Sequence, residues 1–232
     1  MAKYDFNKAT GELPILREFI DFVNKQSSVY MDCLNGFEGN TVRIKRQVAR
    51  VNRPIRKELQ DGQEVIIWDS MEDPSRPDVI HSSIRKSSTY LKDNAEAGFN
   101  EQQICWAIIV FVFAHWDEEI RPAIAKVRGV KPNDILLDAL GDLRILRKAI
   151  VHAKGIVTAQ EYAKLKKMSE LVIPDEKLEL SHDQMHKLFV LIKNAIGEIM
   201  LQYTGDLPGA PSPDDIVDVA IQNAGPRDGQ RS

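Results

Sequence analysis

Residues 141–152 read Gly-Asp-Leu-Arg-Ile-Leu-Arg-Lys-Ala-Ile-Val-His, so that Arg144, Arg147, Lys148 and His152 gather toward the end of one helical pattern. Arginine is a permanent cation whose planar fork suits phosphate, and histidine titrates near neutral pH. Together they supply what is needed to cleave RNA through its own 2′-hydroxyl. A base takes the hydroxyl proton, an acid protonates the leaving 5′ oxygen, and a cation stabilises the charged phosphorane. That chemistry calls for no metal and no cofactor. The same Arg-x4-His spacing recurs at Arg76 and His81, but there Arg76 precedes Pro77 in a proline-rich stretch with no helical pattern. The plain alternative for residues 141–152 is a solvated helix end whose basic side chains oppose the helix dipole.

The segment Arg147-Lys148-Ala149-Ile150-Val151-His152 resembles the Arg-x4–6-His signature of the HEPN superfamily. Upstream, Trp116-Asp117-Glu118-Glu119-Ile120-Arg121 is similar to the Trp-acidic-x-x-x-Arg segment of certain bacterial HEPN families. The order of a long apolar helix, a short connection, the motif helix, a mixed insertion and a final amphipathic helix also fits, over about residues 79–203. The resemblance implies an all-α, antiparallel four-helix-bundle-like core and, commonly, a homodimer. For many members it implies a metal-independent endoribonuclease of toxin–antitoxin or antiviral systems, with an antitoxin or defence-system protein as a possible partner. Carried onto this chain, Arg147 contacts the scissile phosphate and His152 transfers protons. The position after the arginine is often Asn in the family and is Lys148 here, a side chain that can also hold phosphate. A His-x-Tyr extension is not matched, because Lys154 stands in the Tyr place. The family also includes catalytically inactive modules that bind RNA or nucleotides, or act as partner-binding scaffolds.

One motif supplies one histidine, whereas the reaction benefits from both an acid and a base. A two-fold axis beside the motif helix would bring a second Arg147 and His152 into the same cleft. Acidic residues would offset the repulsion among so many cations: Asp142, or Asp117 and Glu118. Asp117 and Arg121 are equally well spaced for an i, i+4 pair on a solvated face.

A second signal lies upstream. Residues 43–57 carry seven basic side chains and no acidic one. Arg43, Arg46, Arg50 and Arg53 recur at three and four and so line one face of a helix, beside the apolar face of Ile44, Val48, Val51 and Ile55. Such a stripe can track an RNA backbone by counterion release, or form a solvated face that pairs with acidic segments. No aromatic residue interrupts it, so base stacking is not expected from it. A helical nucleic-acid-binding regulator acting through this stripe is a further alternative.

Weaker constellations are read structurally. His182 and His186 stand at i, i+4, but Asp183 occupies the place where a zinc-protease motif needs Glu. His115 beside Trp116 is read as a core or boundary histidine. Walker, Gly-x-Gly-x-x-Gly and Gly-x-Ser-x-Gly patterns are absent from the chain.

The elements that must hold these residues are mostly helical by apolar spacing. One stripe runs through Ile15, Leu16, Phe19, Ile20 and Val23 with Pro14 in the first turn, and another through Ile44 to Ile55 with Pro54 kinking or ending it. Residues 65–68 suggest a strand without a clear partner, and Ile80, Ile84, Ser88 and Leu91 a helix. A long helix is expected over 103–127, apolar all round at first and therefore buried. The motif helix is expected from just after Pro132, with Asn133 as cap, to 152–153, with Gly155 as its stop. A short helix over 159–171 and a small hairpin over 172–180 follow. Ser181 and Gln184 form a capping box opening the last helix, which carries Met185, Leu188, Phe189, Ile192, Ile196, Ile199, Met200 and Tyr203 before Gly205. This organises the chain as an N-terminal helical extension (1–77), a bundle (78–204) and a flexible tail (205–232), with a short helix possible over 214–221.

The whole chain, 232 residues with net charge −3, 43% hydrophobic and 28% charged, has the composition of an ordinary globular protein and is long enough for a core without covalent staples. Cys33 and Cys105 form no metal-ligand pattern and suggest a reducing compartment. The opening Met-Ala-Lys-Tyr-Asp-Phe lacks the layout of a secretory signal, and the longest apolar run, 104–114, is too short to span a bilayer, so a cytoplasmic protein is expected. The slightly acidic average argues against a generally basic, sticky protein. It does not argue against a local cationic site.

Overall fold

The computed structural model describes residues 6–52, 65–72 and 80–204. The tail over 205–232, the helix possible at 214–221, Pro54, and the end of the basic stretch at 53–57 lie outside the described residues. Within them the chain is mostly helical, in keeping with the all-α expectation, with one two-stranded sheet. No helix among them is long and apolar enough to cross a membrane. The chain divides into two compact units, one drawn from Met1–Ser27 with Trp106–Ser232 and the other from Ser28–Cys105. One long helix contributes residues to both.

That helix, α1, runs unbroken over Phe6–Asn52 and joins the two apolar stripes into one element. Pro14 sits inside it and not in its first turn. The helix simply loses one internal donor there.

In the second unit, β1 (Ile66–Glu72) pairs antiparallel with β2 (Ile80–Lys86), in a register that sets Trp68 opposite Ile84. The expected helix over residues 80–91 is thus a strand followed by α2 (Ser87–Asp93). Ile80 and Ile84, four apart, fit a two-residue period as well as a helical one. Ile44, Ile67 and Tyr90 form the local core, with Val48 and Leu91 packed against it. Tyr90 is held further by the Arg85 guanidinium, 4.5 Å from its ring centroid, and by Arg43, whose Nη2 donates to the Tyr90 hydroxyl at 3.3 Å. The buried Tyr30 hydroxyl donates to Glu101 Oε1 at 2.9 Å, and the Ala97 N–H donates to Glu101 Oε2 at 2.7 Å. Burial pushes the neighbouring Cys105 thiol up to about 12, which leaves it an unreactive core residue.

Among its described residues the first unit is mainly helical. α3 (Phe99–His115) passes through a π turn (Trp116–Ile120) into α4 (Arg121–Arg128), so the expected helix over 103–127 is continuous but changes pitch. Pro122 explains the change. It has no N–H to give the Glu118 carbonyl, and the ladder is rescued by the Arg121 N–H bonding Trp116 O. Gly129, at φ 70°, ends α4 in the left-handed region that favours glycine. Ion pairing also ties this end down: Arg128 makes a bidentate pair with the buried Glu12 of α1, at 2.8 and 3.0 Å.

The motif helix, α5, spans Asp138–His152. It begins later than expected because Pro132–Asp134 make only a single 3-10 turn, after which Ile135 and Leu137 are extended. Asn133 is not its cap. Ala139, Leu140, Leu143, Leu146 and Ala149 bury one face. Its C-terminal end is fixed by Gly155, at φ 86°, whose N–H bonds Ala149 O at 2.9 Å. A Cβ on Gly155 would come within 2.5 Å of the Trp106 ring, so only glycine fits. Trp106 Nε1 in turn donates to Leu178 O at 3.1 Å, and the Leu178 N–H to Gly155 O at 2.8 Å.

The segment after α5 is less regular than its sequence suggests. Only Ala159–Tyr162 (α6) is α-helical, with a 3-10 turn at Ser169–Leu171. In place of a hairpin over 172–180, a lone bridge joins Ile156 and Lys177. α7 (His182–Thr204) follows as expected. The capping box is formed, with the Ser181 N–H donating to Gln184 Oε1 at 2.9 Å and the Gln184 N–H to Ser181 Oγ at 3.2 Å. Met185, Leu188, Phe189, Ile192, Ile196 and Ile199 are all buried, each worth about 1.5–3 kcal/mol of transfer energy.

Candidate functional site

On α5, residues 144, 147, 148 and 152 follow the three-and-four spacing that brings side chains onto one surface. They line a cleft of about 330 Å³ together with Phe113, Ala114, Asp117 and Glu118. α3 and the π turn form the opposing wall. Arg144, Lys148 and His152 are exposed, while Arg147 is half-buried at the margin of the apolar face. Its Nε is shielded from solvent and has no hydrogen-bond partner. Arginine stems pack readily in such positions while the guanidinium reaches outward.

Lys148 is less available. Lys148 Nζ lies 2.8 Å from Glu161 Oε1, and this hydrogen bond holds the Glu161 carboxyl below the usual carboxylate range. Asp117 is paired with Arg121 at 2.8 Å, the spacing-predicted i, i+4 contact. Arg121 also donates from Nη2 to Asn133 Oδ1 at 3.3 Å and is not among the side chains lining the cleft. Glu118 lines the cleft without such a pair among the described residues. The π turn that presents Asp117 and Glu118 here has one signal in the sequence, Pro122 four residues beyond Glu118.

Asp142 has a different role from the charge-balancing one expected. It is 2% exposed, and its carboxylate accepts the N–H groups of Lys166, Lys167 and Met168 at 2.6–3.1 Å. Its charge is spent on the loop after α6 and offsets nothing in the cleft. The cationic stripe belongs to the other unit. Arg43 is engaged with Tyr90, whereas Arg46 and Arg50 are exposed. His182 and His186 are exposed at the start of α7. His115 is a boundary residue, packed on Phe22 with ring centroids 4.2 Å apart, and lines grooves adjoining the cleft.

No protein-family model matches the chain, and neither a curated protein nor a solved structure matches it.

Proposed function

We propose that the protein is a metal-independent endoribonuclease of HEPN type, with Arg147 and His152 at the reacting phosphate. The observation that carries this reading is the cleft itself. Arg144, Arg147, Lys148 and His152, the residues suited to RNA cleavage on chemical grounds, all line it. Phosphate is an acceptor that a guanidinium group recognises well. In this reading Arg147 binds the scissile phosphate and stabilises the phosphorane, Arg144 and Lys148 hold flanking phosphates, and His152 moves the proton. Asp117 and Glu118 moderate the repulsion among the cations of the empty cleft.

A second copy of the chain would supply the second acid–base histidine. Exposed apolar side chains beside the cleft support this: Val151, next to His152, is 47% exposed, and Phe111, 58% exposed, shares a groove with Ala114 and Glu118. The mainly helical make-up of this unit is in keeping with an HEPN-like bundle. A role in toxin–antitoxin or antiviral systems, with a partner protein controlling the nuclease, follows from the same reading. The test is incubation of the purified chain with RNA in excess EDTA. Cleavage that is lost in both Arg147→Ala and His152→Ala supports the proposal; RNA binding without cleavage by the unaltered chain favours an inactive RNA-binding scaffold.

A further inference from the structure

Behind the cleft wall, the same π turn presents a second constellation that RNA cleavage does not use. Glu18 of α1, His115 at the end of α3 and Glu119 in the π turn each offer a ligand atom, and these atoms lie within 4.8 Å of one another. His115 Nδ1 and Glu119 Oε1 are 3.5 Å apart. That separation is long for a hydrogen bond but close to the edge of a coordination polyhedron with metal–ligand distances of about 2.0–2.2 Å. The imidazole is held in place by stacking on Phe22 and a 6.0 Å contact with Phe19, and its side chain is only 13% exposed. Its Nε2 is buried, so Nδ1, the nitrogen beside Glu119 Oε1, is the one that can reach an ion. Both glutamates are exposed and free to swing inward. The groove beside them, about 820 Å³ and lined also by Arg17, Asp21, Phe22 and Lys25, gives an ion and its water ligands access.

The geometry points to a binding site for a divalent transition-metal ion of the zinc class, held by Glu18, His115 and Glu119. One imidazole with two carboxylates is a borderline donor set that suits Zn²⁺ better than Mg²⁺ or Ca²⁺, which prefer oxygen alone. Three protein ligands leave a position for water. The ion would clamp α1 to the π turn and thereby fix the pitch of the segment that presents Asp117 and Glu118 to the cleft. The site is separate from the proposed nuclease residues, so it stands or falls independently of that activity.

The experiment is calorimetric titration of ZnCl₂ into the full chain after EDTA stripping and dialysis, alongside thermal melts with and without Zn²⁺. One ion per chain is expected, with a rise in melting temperature on binding. Glu18→Gln and Glu119→Gln, both exposed and nearly isosteric, should each weaken binding at least about tenfold, and the double variant should abolish it along with the thermal shift. Arg147→Ala/His152→Ala should bind as the unaltered chain does. Absence of binding overturns the proposal. So does binding that survives the double glutamine variant, or binding that disappears with His152, which would locate the ion in the cleft.

Discussion

Lys148 of the motif helix and Glu161 of α6 form a 2.8 Å ion pair that joins the cleft to the irregular segment following it. The carboxyl is held below its usual range by the hydrogen bond from Lys148. A depressed carboxylate pKa means the contact is at full strength above the ordinary carboxylate value and is lost as pH falls through the lowered one. Amide hydrogen exchange around residues 159–163 should accelerate in that acid window in the unaltered chain. In Glu161→Gln the acid-dependent step should be missing; an unchanged step would show that the pair does not hold α6.

Asp142 is predicted to be structural. Its carboxylate satisfies three consecutive N–H groups in a buried place, and Asp142→Asn would set an amide NH₂ against donors. A loss of about 1–3 kcal/mol is expected from urea unfolding, with no selective effect on the charge balance of the cleft. A variant as stable as the unaltered chain would contradict this assignment.

The Glu12–Arg128 pair anchors the start of α1 to the end of α4, with side chains 1% and 17% exposed. Removing one partner takes the bidentate contact away from a charge held in a largely buried place. Glu12→Ala or Arg128→Ala should therefore cost about 3–5 kcal/mol, whereas replacing both with methionine should cost clearly less. Equal losses in the single and double variants would mean that packing, not charge, dominates there.

Arg46 and Arg50 are exposed on α1, while Arg43 is committed to Tyr90. If the stripe follows an RNA backbone, Arg46→Ala/Arg50→Ala should lower the slope of log affinity against log salt by about 1–2, whatever the RNA sequence. An unchanged slope returns both residues to a solvated helix face.

Much of this arrangement was legible in the residues, and the failures have physical causes. α7 was readable because its capping box and its apolar series from Met185 to Ile199 agree on one period. The grouping of Arg144, Arg147, Lys148 and His152 followed from helix geometry alone. The strand β2 was misread because Ile80 and Ile84 satisfy two periods at once, and only pairing with β1 decides between them. The late start of α5 was hidden because Pro132-Asn133 is a good helix opening that here yields one turn. Asp142 looked like a member of the cationic group by sequence proximity, but it lies on the opposite, buried side of the helix, where the N–H groups of a distant loop meet it. The π turn left only Pro122 as a trace.

In the proposed reaction Arg147 and His152 cut RNA through its 2′-hydroxyl. The most direct test is mass spectrometry of the ends produced when the chain is incubated in EDTA with an RNA and with its fully 2′-O-methylated counterpart. Expected are 2′,3′-cyclic phosphate and 5′-hydroxyl ends from the RNA, an intact methylated strand, and a loss of at least about a hundredfold in rate in both Arg147→Ala and His152→Ala. Cleavage of the methylated strand, or undiminished cleavage by His152→Ala, would contradict it.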